Sequence, residues 1–217
     1  MIEGCDLGLY LVTDRDLCLG RPVERIVEAA LRGGVSCVQL REKCLPTRAF
    51  IETARSIKTI LAPRGVPLII NDRVDVALAA GADGVHLGQG DMSCLVARKL
   101  LGPGAIIGLS VESMEQALDA EVRDADYLGV SPIFATPTKP DIRTAWGLDG
   151  LRRLRRCSGH VLIAIGGINP SNAAQVLEAG ADGLAVVSAI CSAPDPEAAS
   201  RRLREAVDRH PSKKLRS

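Results

Sequence analysis

Short apolar runs rich in β-branched residues alternate with longer stretches of helical period along nearly the whole chain, and this rhythm restricts the fold more than any single residue does. Eight runs are expected as strands: Leu9 to Thr13, Cys37 to Leu40, Leu68 to Ile70, Gly84 to Leu87, Ile106 to Leu109, Tyr127 to Val130, Leu162 to Ile165 and Gly183 to Val187. Between them the apolar period changes. Ile26, Val27, Ala30 and Leu31 form one stripe at helical spacing, and Ala173, Val176, Leu177 and Gly180 repeat it near the other end. Three helical stretches also close alike, on Arg32-Gly33-Gly34-Val35, Ala80-Gly81-Ala82-Asp83-Gly84-Val85 and Ala179-Gly180-Ala181-Asp182-Gly183-Leu184, with glycine where a helix ends in the left-handed conformation.

The runs are apolar at both parities, as parallel strands covered by helices require. Eight strand–helix units within 217 residues match an α/β fold, a single (β/α)₈ TIM barrel. A doubly wound open sheet more often has about five or six strands and a glycine-rich turn after the first; the turn here is Asp14-Arg15-Asp16. No break in composition divides the chain, so residues 1–209 read as one barrel domain, and the basic tail over 210–217 is expected to fray.

Charge and composition remove several classes of function. Lys and Arg number 27 against 26 Asp and Glu, a net charge of +1, too small to draw the whole molecule onto nucleic acid or an anionic membrane. Five aromatic residues, Trp146, Tyr10, Tyr127, Phe50 and Phe134, make no stacking platform for single strands. No apolar run approaches the roughly 18 residues of a membrane span, and Met1 to Asp6 carries Glu3 and Asp6 rather than a positive leader. Seven cysteines (Cys5, Cys18, Cys37, Cys44, Cys94, Cys157, Cys191), odd in number and without a C-x-x-C pair, read as small buried hydrophobes in a reducing compartment rather than as zinc ligands or a nucleophile. The expected setting is cytoplasmic, with small molecules as partners; oligomeric state is not determined by the sequence.

In such a barrel, ligands bind over the C-terminal ends of the strands. Behind the seventh strand stand Gly166-Gly167-Ile168, then Asn169-Pro170-Ser171 opening a helix, and behind the eighth come Val187-Ser188. The glycines either permit a tight turn or let backbone N–H groups approach an anion; the agreement of two adjacent loops favours a phosphate site. The second strand runs into Gln39-Leu40-Arg41-Glu42-Lys43, where a period of two puts Gln39, Arg41 and Lys43 on one face. Alone, such an end is a solvated basic rim. Beside it, however, come Asn71-Asp72 after the third strand and Asp91 after the fourth. Each aspartate taken singly is a helix cap; as a pair beside an Arg and a Lys they suit a hard divalent cation, Mg²⁺, that also holds phosphate oxygens. The sixth strand leads into a long loop from Ser131 to Asp141, where Lys139 between two prolines can reach an anion. Ser110 faces either a polar substrate group or its own loop, His86 reads as a satisfied structural histidine, and Arg152, Arg153, Arg155 and Arg156 read as a solvated helix face. Two separate anion sites imply two phosphorylated substrates, one with a metal-bound diphosphate as leaving group.

Seven segments in order resemble the thiamine-phosphate synthase family: YLVTD at 10–14, QLREK at 39–43, IINDRVDVALAAGADGVHLGQGD at 69–91, GLS at 108–110, TPTK at 136–139, IGGI at 165–168 and VVSAI at 186–190. The likeness runs over about residues 8 to 191. It implies a (β/α)₈ transferase that joins 4-amino-5-hydroxymethyl-2-methylpyrimidine diphosphate to hydroxyethylthiazole phosphate, giving thiamine phosphate and pyrophosphate, with Mg²⁺. At matching positions it implies pyrimidine-diphosphate contacts from Gln39, Leu40, Arg41, Glu42, Lys43, Asn71, Ser110 and Lys139, metal ligation by Asp72 and Asp91, and thiazole-phosphate contacts from Thr136, Pro137, Thr138, Gly167, Val187 and Ser188. No protein nucleophile is implied: electron release from the pyrimidine amine expels pyrophosphate, the thiazole nitrogen captures the cation, and Arg41 and Lys139 act electrostatically. Two stretches depart from the family pattern, Val111-Glu112-Ser113 where relatives often carry Thr-His or Ala-His, and Ser131 where many have Gly before Pro132. A related thiazole tautomerase shares the fold without needing diphosphate or metal; the complete QLREK, Asp72 and Asp91 set counts against it and against a catalytically silent phosphate sensor.

Overall fold

Strands that are apolar on both faces must be covered on both, and a sheet that closes on itself inside a ring of helices achieves this. The computed structural model, which describes residues 5–135 and 145–210, has that form. Strands β1 (Leu9–Val12), β2 (Cys37–Leu40), β3 (Leu68–Asn71), β4 (Gly84–Leu87), β5 (Ile106–Val111), β6 (Tyr127–Val130), β7 (Val161–Ile165) and β8 (Gly183–Val186) pair in parallel and in sequence order, and β1 pairs with β8 to complete the barrel. The helices are α1 (Val23–Arg32), α2 (Thr47–Leu61), α3 (Val74–Ala80), α4 (Cys94–Leu101), α5 (Met114–Leu118), α6 (Gly147–Cys157), α7 (Ala173–Glu178), α8 (Ser188–Cys191) and α9 (Pro196–Arg209).

All eight expected strands form. Two boundaries differ in ways that matter for the site. Ser110 lies within β5 rather than beyond it. Helix α7 begins at Ala173, not at Asn169-Pro170-Ser171, because two asparagines hold that stretch as a turn: the Ser171 N–H donates to Asn169 Oδ1 at 2.9 Å and the Asn169 N–H to Asn172 Oδ1 at 2.9 Å. His210, expected as the start of the tail, closes the described residues with its Nδ1 against the Ala206 carbonyl at 3.0 Å; residues 211–217 lie outside them.

Parity sorts the strand residues into two cores. Leu9, Leu11, Val38, Leu40, Leu68, Ile70, Val85, Ile107, Leu128, Leu162 and Leu184 point outward into a layer shared with the helices. Tyr10, Val12, Cys37, Ile69, Ile106, Tyr127, Ile163 and Ala185 point into the barrel. The inward face is wholly apolar apart from the two tyrosines toward the N-terminal ends of the strands; higher up β2 to β6 and the turn after β6 carry Gln39, Asn71, His86, Ser110 and Ser131, opposite Val12 and Ile165. Cys18, Cys37, Cys94 and Cys191 are buried as expected, whereas Cys44 and Cys157 are exposed, one in the loop after β2 and the other closing α6.

At the N-terminal ends a recurrent clamp joins strands two by two. Ser36, Asp83, Asp126 and Asp182 each directly precede an even-numbered strand, and each accepts an N–H from the start of the strand before it. The distances are 3.1 Å from Leu9 to Ser36, 2.7 Å from Leu68 to Asp83, 2.8 Å from Ile107 to Asp126 and 2.8 Å from Leu162 to Asp182. Each aspartate also holds a cation from an even-numbered helix, Lys58 at 2.5 Å, Arg98 at 2.7 Å and Arg155 at 2.8 Å. Arg155 therefore does not belong to a solvated face, as its neighbours Arg152, Arg153 and Arg156 do.

Removing the Asp182 carboxylate leaves the Leu162 N–H without its acceptor and the Arg155 guanidinium without its anion, although Arg155 keeps the Ser158 and His160 carbonyls. Asp182→Ala should lower the free energy of unfolding by about 3 kcal/mol, whereas Arg156→Ala should change it by less than about 0.5 kcal/mol. Urea titrations of the two variants check this, and equal losses would deny the clamp its role.

Candidate active site

The polar residues of the upper barrel line a cavity of about 340 Å³ that opens at the C-terminal ends of the strands. Its floor is a chain of hydrogen bonds contributed by five strands. Gln39 Nε2 donates to the Tyr10 hydroxyl at 3.0 Å; the Tyr10 and Tyr127 hydroxyls are 2.8 Å apart; Tyr127 meets His86 Nδ1 at 3.0 Å, and His86 Nε2 meets Ser110 Oγ at 2.8 Å. The His86 ring stacks on Tyr127 with centroids 5.5 Å apart, and Tyr127 meets Tyr10 edge to face at 5.9 Å. Such crowding needs missing side chains elsewhere. A Cβ at Gly108 would overlap the Tyr127 ring, and one at Gly129 would sit 2.7 Å from His86 Cε1. Burial pushes both phenols well above their usual range, so both keep their hydrogens.

One side of the mouth is charged. Arg41 lines the cavity, its N–H held by Thr13 Oγ1 at 3.0 Å and its guanidinium by Asp14 at 2.8 Å. Lys43 reaches Asp72 at 2.6 Å. Asp72 adopts φ 62, a left-handed conformation that costs a residue with a Cβ roughly 1–2 kcal/mol, and its N–H continues the ladder to the His86 carbonyl at 2.9 Å. Asp72 is not a helix cap: α3 starts after Arg73 and has no side-chain cap bond. Asp91 is not one either, since Ser93 caps α4; its carboxylate accepts the Gly88 N–H at 2.7 Å. Burial and the neighbouring Asp72 carboxylate hold the Asp91 carboxyl above its ordinary value, with the Gly88 N–H and Lys43 opposing.

The two carboxylates thus converge with a lysine beside them. Among the described residues no group of three His, Cys, Asp or Glu is arranged to hold a metal. A pair of oxygen donors fits Mg²⁺, which keeps waters and takes the rest of its ligands from phosphate.

The opposite side is built from backbone. Gly166 and Gly167 turn at φ 103 and 68, where no other residue would fit: a Cβ on either would press on Pro132 or Phe134. Asn172 Nδ2 donates to the Gly167 carbonyl at 2.9 Å and steadies the turn. Val187 and Ser188 enter the first turn of α8, whose leading N–H groups have no partner within the helix.

Of the residues expected at the site, Gln39, Arg41, Asn71, Ser110, Gly167, Val187 and Ser188 line one cavity. Lys43, Asp72 and Asp91 gather beside its mouth. Leu40 turns outward into the core, so only its backbone faces the mouth, and Glu42 is bound by Arg15 at 2.7 Å. Thr136, Pro137, Thr138 and Lys139 lie outside the described residues. Sequence reading passed over Tyr10, Tyr127 and Asp14 and placed His86 as structural only, although it also lines the cavity. The available signal was glycine within strands at 108 and 129, which marks a close approach by a bulky neighbour.

A closed barrel with a cavity of mixed polar and apolar lining over the C-terminal ends of its strands belongs to the (β/α)₈ enzymes. Residues 9–190 match the family model described as thiamine monophosphate synthase. The thiamine-phosphate synthase of Albidiferax ferrireducens is 58% identical over 202 residues, 93% of this chain and 92% of its own. That of Vibrio campbellii is 54% identical over 195 residues, 90% of this chain and 95% of its own. The thiamine phosphate pyrophosphorylase structure from Pyrococcus furiosus superposes with a TM-score of 0.86 at 43% identity, covering 94% of this chain and 96% of its own. The chain belongs to the thiamine monophosphate synthase family.

A carboxyl that binds its proton more tightly in the fold than in the unfolded chain favours the fold at low pH, and that contribution is lost as pH rises through its raised value. Asp91 is in this position, while Asn in its place keeps a carbonyl for the Gly88 N–H. Without divalent cations, Asp91→Asn should melt above the wild type near pH 7, the gap closing below about pH 4. A variant that melts lower at pH 7 would show that Asp91 is stabilised as the anion.

Proposed function

We propose that this chain condenses 4-amino-5-hydroxymethyl-2-methylpyrimidine diphosphate with hydroxyethylthiazole phosphate, releasing thiamine phosphate and pyrophosphate, in the cytoplasm and with Mg²⁺. Residues 1–209 are its one catalytic domain. The observation that carries this reading is a single cavity with two chemically different anion-suited sides, Arg41 with Lys43, Asp72 and Asp91 on one and the Gly166-Gly167 turn with Val187-Ser188 on the other.

Gln39, Asn71 and Ser110 present polar groups to the pyrimidine within the cavity, next to the Arg41 and Lys43 charges that receive its diphosphate. The backbones of Leu40 and Glu42 complete that strand end, and the family likeness assigns Lys139 to the same diphosphate. Asp72 and Asp91 hold Mg²⁺, which when bound neutralises charge on the departing pyrophosphate. Gly167, Val187 and Ser188, with Thr136 and Thr138, bind the thiazole phosphate through N–H and hydroxyl donors, and Pro137, which has no hydrogen to donate, only spaces the two threonines. Both substrates thereby share one enclosed volume, so the thiazole nitrogen stands ready as pyrophosphate leaves. No protein nucleophile takes part; the residues orient, neutralise and exclude water. Incubation with both substrates and Mg²⁺ tests the reading: thiamine phosphate must appear, and its absence rejects it.

Asp72→Asn deletes one hard anionic ligand while the fold remains, and should lower turnover by about two to three orders of magnitude at limiting Mg²⁺. Steady-state kinetics against Mg²⁺ concentration check this, and wild-type rates would remove Asp72 from the metal site. Ser188→Asp sets a carboxylate where a phosphate is to bind, so KM for the thiazole phosphate should rise by about tenfold or more, with that for the pyrimidine diphosphate nearly unchanged. Equal changes in both would collapse the two sides into one.

A further inference from the structure

The floor of the cavity has a direction. Gln39 Nε2 can only donate, so the Tyr10 oxygen accepts from it. The single Tyr10 hydrogen then goes to the Tyr127 oxygen at 2.8 Å, the Cys37 thiol beside it being the weaker acceptor. The single Tyr127 hydrogen goes on to His86 Nδ1 at 3.0 Å. An Nδ1 that accepts carries no hydrogen, which puts the ring proton on Nε2, the atom 2.8 Å from Ser110 Oγ. Ser110 accepts there, and its own hydrogen is left for a group in the cavity. Both tyrosines are fully buried, so water does not compete for the links between them.

We propose that Gln39, Tyr10, Tyr127 and His86 form a one-directional hydrogen-bond relay that holds His86 as its Nε2–H tautomer and turns Ser110 into a hydrogen-bond donor toward an acceptor atom of the bound pyrimidine diphosphate. The identity of that ligand rests on the function proposed above; the direction of the relay does not. Tyr10, Tyr127 and His86 touch no substrate in this scheme and are positioning residues. A reversed chain, with the Gln39 oxygen facing Tyr10, would protonate Nδ1 and spend the Ser110 hydrogen on His86, so the two directions leave opposite tautomers.

Side-chain ¹H–¹⁵N correlation spectra of the labelled protein read the tautomer directly, with His86 assigned among the three histidines by the signal missing from His86→Gln. The expected result is one species protonated on Nε2 alone. Protonation on Nδ1, or on both nitrogens, overturns the relay. Tyr127→Phe keeps the ring and deletes one link; there the single tautomer should give way to a mixture, and KM for the pyrimidine diphosphate should rise by about tenfold while that for the thiazole phosphate moves by less than about twofold. An unchanged tautomer in Tyr127→Phe also overturns the proposal, and Tyr10→Phe repeats the test one link away should the first variant not fold. Absence of thiamine phosphate from the wild-type reaction would defeat the proposed function while leaving the spectra to decide the relay.

Discussion

The contact between the Tyr10 and Tyr127 hydroxyls, 2.8 Å apart across the barrel interior, divides the molecule into a dry half and a chemical half. Beneath it Leu7, Cys37, Ile69 and Ile106 fill the interior as an ordinary apolar core. Above it every inward position of β2 to β6 that reaches the cavity is polar or glycine. Two phenols deep in a barrel are tolerated because each oxygen is bonded on both sides, and the strand glycines at 108 and 129 leave room for the rings. Depth of cavity, placement of Gln39 and placement of Ser110 all follow from that one contact.

The mouth is held differently. Its cations are not waiting free: Arg41 is bound to Asp14, Lys43 to Asp72 and Arg15 to Glu42. These partners keep the cationic side chains in place at small net charge, and an arriving diphosphate exchanges one anion for another rather than ordering loose side chains. The repulsion between the Asp72 and Asp91 carboxylates runs the other way, since a cation relieves it.

The parts of this fold that were legible in the sequence are those set by local rules. Strand parity, helical stripes and glycine exits act within a few residues, and they located all eight strands and the loops that carry the charged ends. Parity likewise placed Gln39 and Arg41 inward. What was not legible depends on closure. The floor joins residues 29, 117, 41 and 24 positions apart, and no spacing rule relates a tyrosine in β1 to one in β6 before the barrel exists. The cap reading of Asp72 and Asp91 failed for a local reason instead: Ser93 stands nearer the helix start than Asp91, and the left-handed turn at Asp72 aims its carboxylate at Lys43. At 169–172 the asparagine side chains take backbone N–H groups that a helix start would leave without partners, and so hold the stretch as a turn.

The clamps at the opposite end make the barrel a ring of four quarters rather than of eight strands. Each clamp closes a loop of only 27, 15, 19 or 20 positions, inside one pair of consecutive strands. A quarter can therefore lock its own start while the ring is still open, so the slow, long-range step of folding is reduced to joining four prepared pieces. Breaking the chain just after β2, β4 or β6 leaves every clamp whole. New termini there suit circular permutation or reassembly from halves, whereas a break inside a quarter separates a serine or aspartate from the strand whose N–H it holds.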